Sequence, residues 1–228
     1  MRELFSDELK KLHGRFMEMG INISEQIYQA TSAFTQYDKK LAQQVIDDDQ
    51  RTNSEEIFLE KEALKLIALQ QPVASDFREI ISILKASSDL ERIGDHAVNI
   101  ARETLNTSDQ KNDVKIEKQI GKMAGDIRKM LEQVMDAYVN RDERQARKGA
   151  EKDLKIDQQY IDIRKAVTSA IESQETTAER GSSYLMIDRL LERIGDHIVN
   201  LCEWVVYNQS GKIVELNAGK ISPELLQN

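Results

Sequence analysis

Residues 91–100 read ERIGDHAVNI and residues 192–201 read ERIGDHIVNL, identical at eight of ten positions. A ten-residue match at this separation points to duplication of a larger unit, and an internal repeat governs every later reading of fold. Outward from the match, the apolar seams of the two halves superpose as well. Leu12, Phe16, Met19, Ile23 and Ala30 each precede Ile116, Ile120, Met123, Ile127 and Val134 by 104 residues. Spacings of three and four are those of a helix with one buried stripe.

The same periodicity sets the elements. Phe5, Leu9, Leu12, Phe16, Met19, Ile23, Ala30 and Phe34 predict a first helix ending near Phe34. A second is predicted from about Asp38 to Leu69, stopped by Gln70-Gln71-Pro72, because proline removes a backbone N–H and clashes with the preceding turn. Ile80, Ile83, Leu90, Ile93, Ala97 and Ile100 mark a third. The second copy repeats the plan at about 113–140, 142–173 and 178–207, with Thr176 and Glu179 as a capping box for the last. The offset between copies falls from 104 to 101 residues at the motif, so the first copy carries three extra residues near its Pro72 turn. The expected fold is all-α, two tandem three-helix bundles over 1–107 and 108–208, joined by a polar connection and followed by a tail at 209–228.

Composition agrees with this. Two Pro, ten Gly, 32% charged and 5% aromatic residues suit long helices with one wet face. The start, MRELFSDELKKLHG, lacks the apolar core of a signal peptide, and no stretch approaches 18 apolar residues, so the expected location is cytoplasmic. A net charge of −8 repels phosphate backbones, which argues against direct nucleic-acid binding. The one cysteine, Cys202, is read as a buried thiol beside Leu201 and Trp204.

Chemistry concentrates on the duplicated motif. Residues four apart share a helix face, so Glu91, Asp95 and Asn99 form a polar ridge, duplicated by Glu192, Asp196 and Asn200 and extended by Asp188. Like charges at that spacing destabilise a helix by about 0.2–0.5 kcal/mol per pair unless a positive group intervenes. Asp49 and Asn53, and in the second copy Asp153 and Asp157, repeat the spacing on the second helix, so two helices per bundle can converge carboxylates. Convergent carboxylates suit hard cations. The alternative is that these acids pair with Arg92, Arg193 and nearby lysines, and spacing alone does not choose. His96 and His197 point about 100° away from the ridge, which assigns them to packing or to the surface. Glu and His stand five apart rather than in the Glu-x-x-His spacing of di-iron bundles. No phosphate loop, nucleophile elbow or Cys-x-x-Cys pair is present.

IALQQPVASDF at 67–77, SDLERIGDHAVNIA at 88–101 and LLERIGDHIVNL at 190–201 resemble the PhoU family of bacterial phosphate-uptake regulators, and the likeness spans both repeats. The resemblance implies motif pairs that hold iron or zinc clusters, with Mg or Mn as other candidates, at Asp49, Asn53, Glu91 and Asp95 in the first bundle. In the second it implies Asp153, Asp157, Glu192 and Asp196. Asn53 departs from the family's usual Asp, and a weaker or smaller first cluster is expected. The resemblance further implies a non-enzymatic adaptor, a negative regulator linking a phosphate-specific ABC transporter ATPase to a membrane sensor histidine kinase. It would form a homodimer and reach the membrane only through partners. A metal-storage protein or metal-dependent enzyme is the competing expectation, and a plain helical scaffold the third.

Overall fold

The computed structural model describes residues 2–107 and 113–217. Among the described residues it holds seven α-helices: α1 (Arg2–Gln36), α2 (Lys39–Gln70), α3 (Ala74–Asn106), α4 (Val114–Asn140), α5 (Glu143–Glu151), α6 (Asp153–Glu172) and α7 (Ala178–Ser210). Most of the expected polar connection, and residues 218–228 of the expected tail, lie outside the described residues. α1, α2 and α3 form one antiparallel three-helix unit. α4, the pair α5–α6, and α7 form its duplicate.

The helix ends follow the local chemistry. Asp38 caps α2 by accepting from the Lys40 and Leu41 amides, and Asp113 caps α4 in the same way through Lys115 and Ile116. Gln71 closes α2 in the left-handed region at φ 47°, directly before Pro72, as the helix-stop signal requires. Three expectations are corrected. The cap of α7 is Thr177, whose side chain accepts from the Arg180 amide, rather than Thr176. The helix expected over 142–173 is broken at Lys152, where the Lys152 amide bonds Gly149 and the chain restarts at Asp153. Asp153 thereby becomes the first residue of α6 and is fully buried. α7 also outruns its expected end at 207 by reaching Ser210, and Gly211 closes it at φ 71° against the Arg78 side chain.

The ten seam residues named from sequence are all buried. The copies join along two helix pairs, α1 against α4 and α3 against α7. Gly20 permits the first contact, since a Cβ there would stand 2.3 Å from Met135 Cε. Arg128 on α4 reinforces it by stacking over the Tyr28 ring at 4.9 Å and donating to Ser24 Oγ. A buried cluster ties the far end: Arg180, 2% exposed, donates to Tyr37 Oη and Glu117 Oε1 inside an aromatic surround of Phe34, Tyr37 and Tyr184. Beyond α7, Val214 and Leu216 pack on the core. The Leu216 amide donates to Glu203 and Asn217 to the Ala150 carbonyl. No helix among the described residues is long and apolar enough to cross a membrane.

Candidate metal centre on the duplicated motif

Each residue of Glu91–His96 has its own surroundings. Ile93 is buried in the core. Gly94 faces α1 and α2 closely: a Cβ would stand 2.9 Å from Ile23 Cδ1 on α1 and 3.2 Å from Thr52 Cγ2 on α2. Gly195 does the same in the second copy, where a Cβ would stand 2.6 Å from Asp153 Oδ1 and 3.4 Å from Ile156 Cγ2. Thr52 and Ile156 occupy equivalent positions, so the motif glycine is a repeated device that brings the second helix of each unit against the third. That close approach carries the acids of both helices to one seam.

His96 and His197 leave the seam on the other side, as expected from their rotation. Their rings lie 5.5 Å apart between α3 and α7, where the copies meet. Both His96 nitrogens are buried without a hydrogen-bond partner, and its pKa is lowered to about 4, chiefly by burial, then by His197 and Arg193. It is therefore a neutral packing group at neutral pH. His197 donates to Asp89 Oδ1 at 3.0 Å. Asn200 donates to the same oxygen and Trp204 Nε1 to Asp89 Oδ2. Sequence reasoning passed over Asp89, which lies outside the duplicated decapeptide; only the contact across the copies reveals it.

In the first unit, Asp49 and Asn53 on α2 face Glu91 and Asp95 on α3. Asp49 Oδ1 and Asn53 Oδ1 are both buried and accept no hydrogen bond. Burial, and then Asp95, raises the Asp49 pKa, against Arg102 and a side-chain hydrogen bond from Asn53. Burial raises that of Glu91 too, followed by Asp95, with Glu56 and Asp49 adding to it and Arg92 opposing. Glu56 is thus a further acid of this ridge. Its signal was in the sequence, one turn beyond Asn53 on the same helix face. Arg92 supplies part of the expected ion pairing, reaching Glu91 at 3.7 Å and Asp95 at 3.8 Å, but its side chain is exposed and such pairs contribute about 0–1 kcal/mol.

In the second unit, Asp153 and Asp157 on α6 and Glu192 and Asp196 on α7 occupy the matching places, and all four are engaged by hydrogen bonds or electrostatic interactions. Asp188, one turn before Glu192, is fully buried with neither carboxylate oxygen hydrogen-bonded. Its pKa is pushed up to about 9 by burial, with Arg164 opposing and Glu192 adding. Cys202 is buried in the same unit, and its thiol pKa is raised by burial and by Asp153, which makes it inert.

Among the described residues, no three His, Cys, Asp or Glu side chains stand closed around one point. The acidic ridges are open, with Arg92 reaching Glu91 and Asp95 from the exposed side of the first and the four acids of the second each engaged by neighbours. Their donor set, all oxygen, with orphaned acceptors at Asp49, Asn53 and Asp188, fits a hard cation.

Comparison with known proteins matches this architecture. The PhoU domain model covers residues 16–104 and again 120–205. The chain is 36% identical over 217 residues, 95% of its length and all of the relative's, to the phosphate-specific transport system accessory protein PhoU homolog of Streptococcus pneumoniae. It is 34% identical over 208 residues, 91% of its length and 90% of the relative's, to PhoU homolog 1 of Thermotoga maritima. The crystal structure of the phosphate transport system regulatory protein PhoU from S. pneumoniae superposes with a TM-score of 0.87 at 33% identity, covering 93% of this chain and all of that one. PhoU from Pseudomonas aeruginosa gives 0.86 at 31% identity, covering 91% of this chain and all of that one.

Proposed function

The chain belongs to the PhoU family, and from that membership we propose that it is an accessory regulator of a phosphate-specific transport system. In this reading it restrains phosphate uptake and the phosphate-starvation response while phosphate is plentiful. It acts without catalysis, as an adaptor between the transporter ATPase and a membrane sensor kinase. The observation that carries the reading is full-length similarity, in both repeats, to relatives named as accessory proteins of that system.

The duplicated acidic seams give the adaptor its second property, cation binding. Asp49, Asn53, Glu91 and Asp95, joined by Glu56, would hold a cation in the first unit. Asp153, Asp157, Glu192 and Asp196 would hold one in the second. Iron or zinc is the candidate metal, and bound there it would neutralise the repulsion within each ridge and fix the second helix of the unit to the third. The protein's own part is to place oxygen donors on facing helices, with the motif glycine setting the separation. The seams lie at α2–α3 and α6–α7, away from the α1–α4 and α3–α7 contacts that join the copies.

The regulatory reading is tested by deleting the gene and measuring phosphate-starvation transcripts in high phosphate, together with capture of the transporter ATPase by the tagged protein. Constitutive expression and co-purification are expected. Unchanged repression in the deletion strain refutes the role.

A further inference from the structure

The duplication provides its own control: a residue present in one copy and changed in the other isolates what that copy adds. At the position one turn before the motif glutamate, the first copy has Ser87 and the second Asp188. Both are fully buried. Ser87 is satisfied locally, its hydroxyl donating to the Leu84 carbonyl. Asp188 has no hydrogen bond to either oxygen, although buried polar groups are nearly always paired and an unpaired one is costly.

The position of Asp188 identifies what it faces. Gly181, Asp188 and Gly195 are spaced seven apart on α7, so they line one face. A Cβ on Gly181 would meet Ile171 Cδ1 at 2.5 Å and one on Gly195 would meet Asp153 Oδ1 at 2.6 Å. Asp188 therefore lies midway along the seam between α7 and α6, between two points where the helices touch. Asp153 and Asp157 enter that seam from α6, and Glu192 stands one turn along α7. The charged groups acting on Asp188 are Arg164 from α6 and Glu192 from its own helix. The first copy compensates from the opposite helix, where Glu56 adds its charge beside Glu91 and the position equivalent to Glu56 in the second copy is Tyr160.

We propose that Asp188 is a fifth carboxylate of the α6–α7 cation site, as deeply buried as Asp153, so that the second repeat holds a hard cation more tightly than the first. This rests on the cation reading given above. With Asp188 the α6–α7 seam carries five carboxyl groups, against four and the Asn53 amide at the α2–α3 seam. Charge count and buried donors both strengthen oxygen sites for hard cations.

The test uses the full chain, stripped of metal, with the first site silenced by Glu91→Ala and Asp95→Ala, titrated calorimetrically with Mn2+. Adding Asp188→Asn keeps the shape and removes a carboxyl that can ligate once a cation displaces its proton. It should weaken Mn2+ binding about tenfold or more, the range seen when groups around a metal are removed. A second variant, Asp188→Ser, copies the first repeat and can satisfy itself as Ser87 does. It should melt no lower than its parent without Mn2+ and gain less melting temperature with it. Unchanged Mn2+ affinity in Asp188→Asn, or melting lowered equally with and without Mn2+ in Asp188→Ser, overturns the inference and leaves the cation reading standing. Absence of Mn2+ uptake while Asp188 is intact overturns both.

Discussion

At the residue scale, the glycine of the repeated motif ties sequence to site most tightly. Alanine is a better helix former than glycine by about 1 kcal/mol, so an exposed helical glycine improves on substitution. Gly121 has nothing within 4 Å of the place a Cβ would take, and Gly121→Ala should stabilise the protein by about 0.5–1 kcal/mol in urea denaturation. Gly195→Ala should do the reverse. Its Cβ would collide with the short, buried side chain of Asp153, and overpacking of that kind costs about 1–3 kcal/mol. Gly94→Ala should lie between the two, since its nearest neighbour is the end of the longer Ile23 side chain, which can rotate. The same denaturation series checks all three, and an unperturbed Gly195→Ala protein would show that the α6–α7 approach is looser than described. The sequence announced this glycine only as part of a repeat. That it sets a helix separation needs the neighbouring helix, which periodicity does not supply.

At the element scale, the helices themselves were legible, because apolar residues at three- and four-residue spacing leave little freedom once Pro72 and the capping aspartates punctuate them. Two features were not. The break at Lys152 is invisible, since helix-forming residues run through it; the restart buries Asp153, a tertiary demand that overrides local propensity. The capping position slipped by one because two threonines are adjacent, and it is Thr177 whose extended backbone lets its hydroxyl reach the Arg180 amide. The polar part of the α3–α7 docking was likewise unreadable, since Asp89 receives donors from three residues more than a hundred positions away. Asp89→Ala leaves the His197, Asn200 and Trp204 donors without that acceptor, and should cost about 1–3 kcal/mol. Trp204 is the single tryptophan, so its emission reports this junction directly. A shifted emission spectrum together with lowered urea resistance is expected, and an unchanged spectrum would remove Asp89 from the junction.

At the scale of the whole molecule, duplication followed by divergence explains both the likeness and the inequality of the two halves. The second copy trims the helices on either side of its turn and lengthens the connection, a change that costs little because loop length enters only logarithmically. The seams keep their acids through this change, yet Asn53 removes a carboxylate from the first and Asp188 adds a buried carboxyl to the second. The pattern of acids was readable from the sequence; their half-burial along the seams, the orphaned oxygens of Asp49 and Asn53, and the part played by Glu56 required the packed helices. The central claim is that these seams are two cation sites of unequal strength, and it is tested most directly by chelator titration of the metal-loaded full chain, following metal content by elemental analysis beside the Glu192→Ala, Asp196→Ala double variant. Two release steps are expected, the weaker belonging to the first repeat, with the tighter step missing from the variant. A single step that the variant leaves unchanged, release in the reverse order, or no bound metal in the wild-type protein would contradict it.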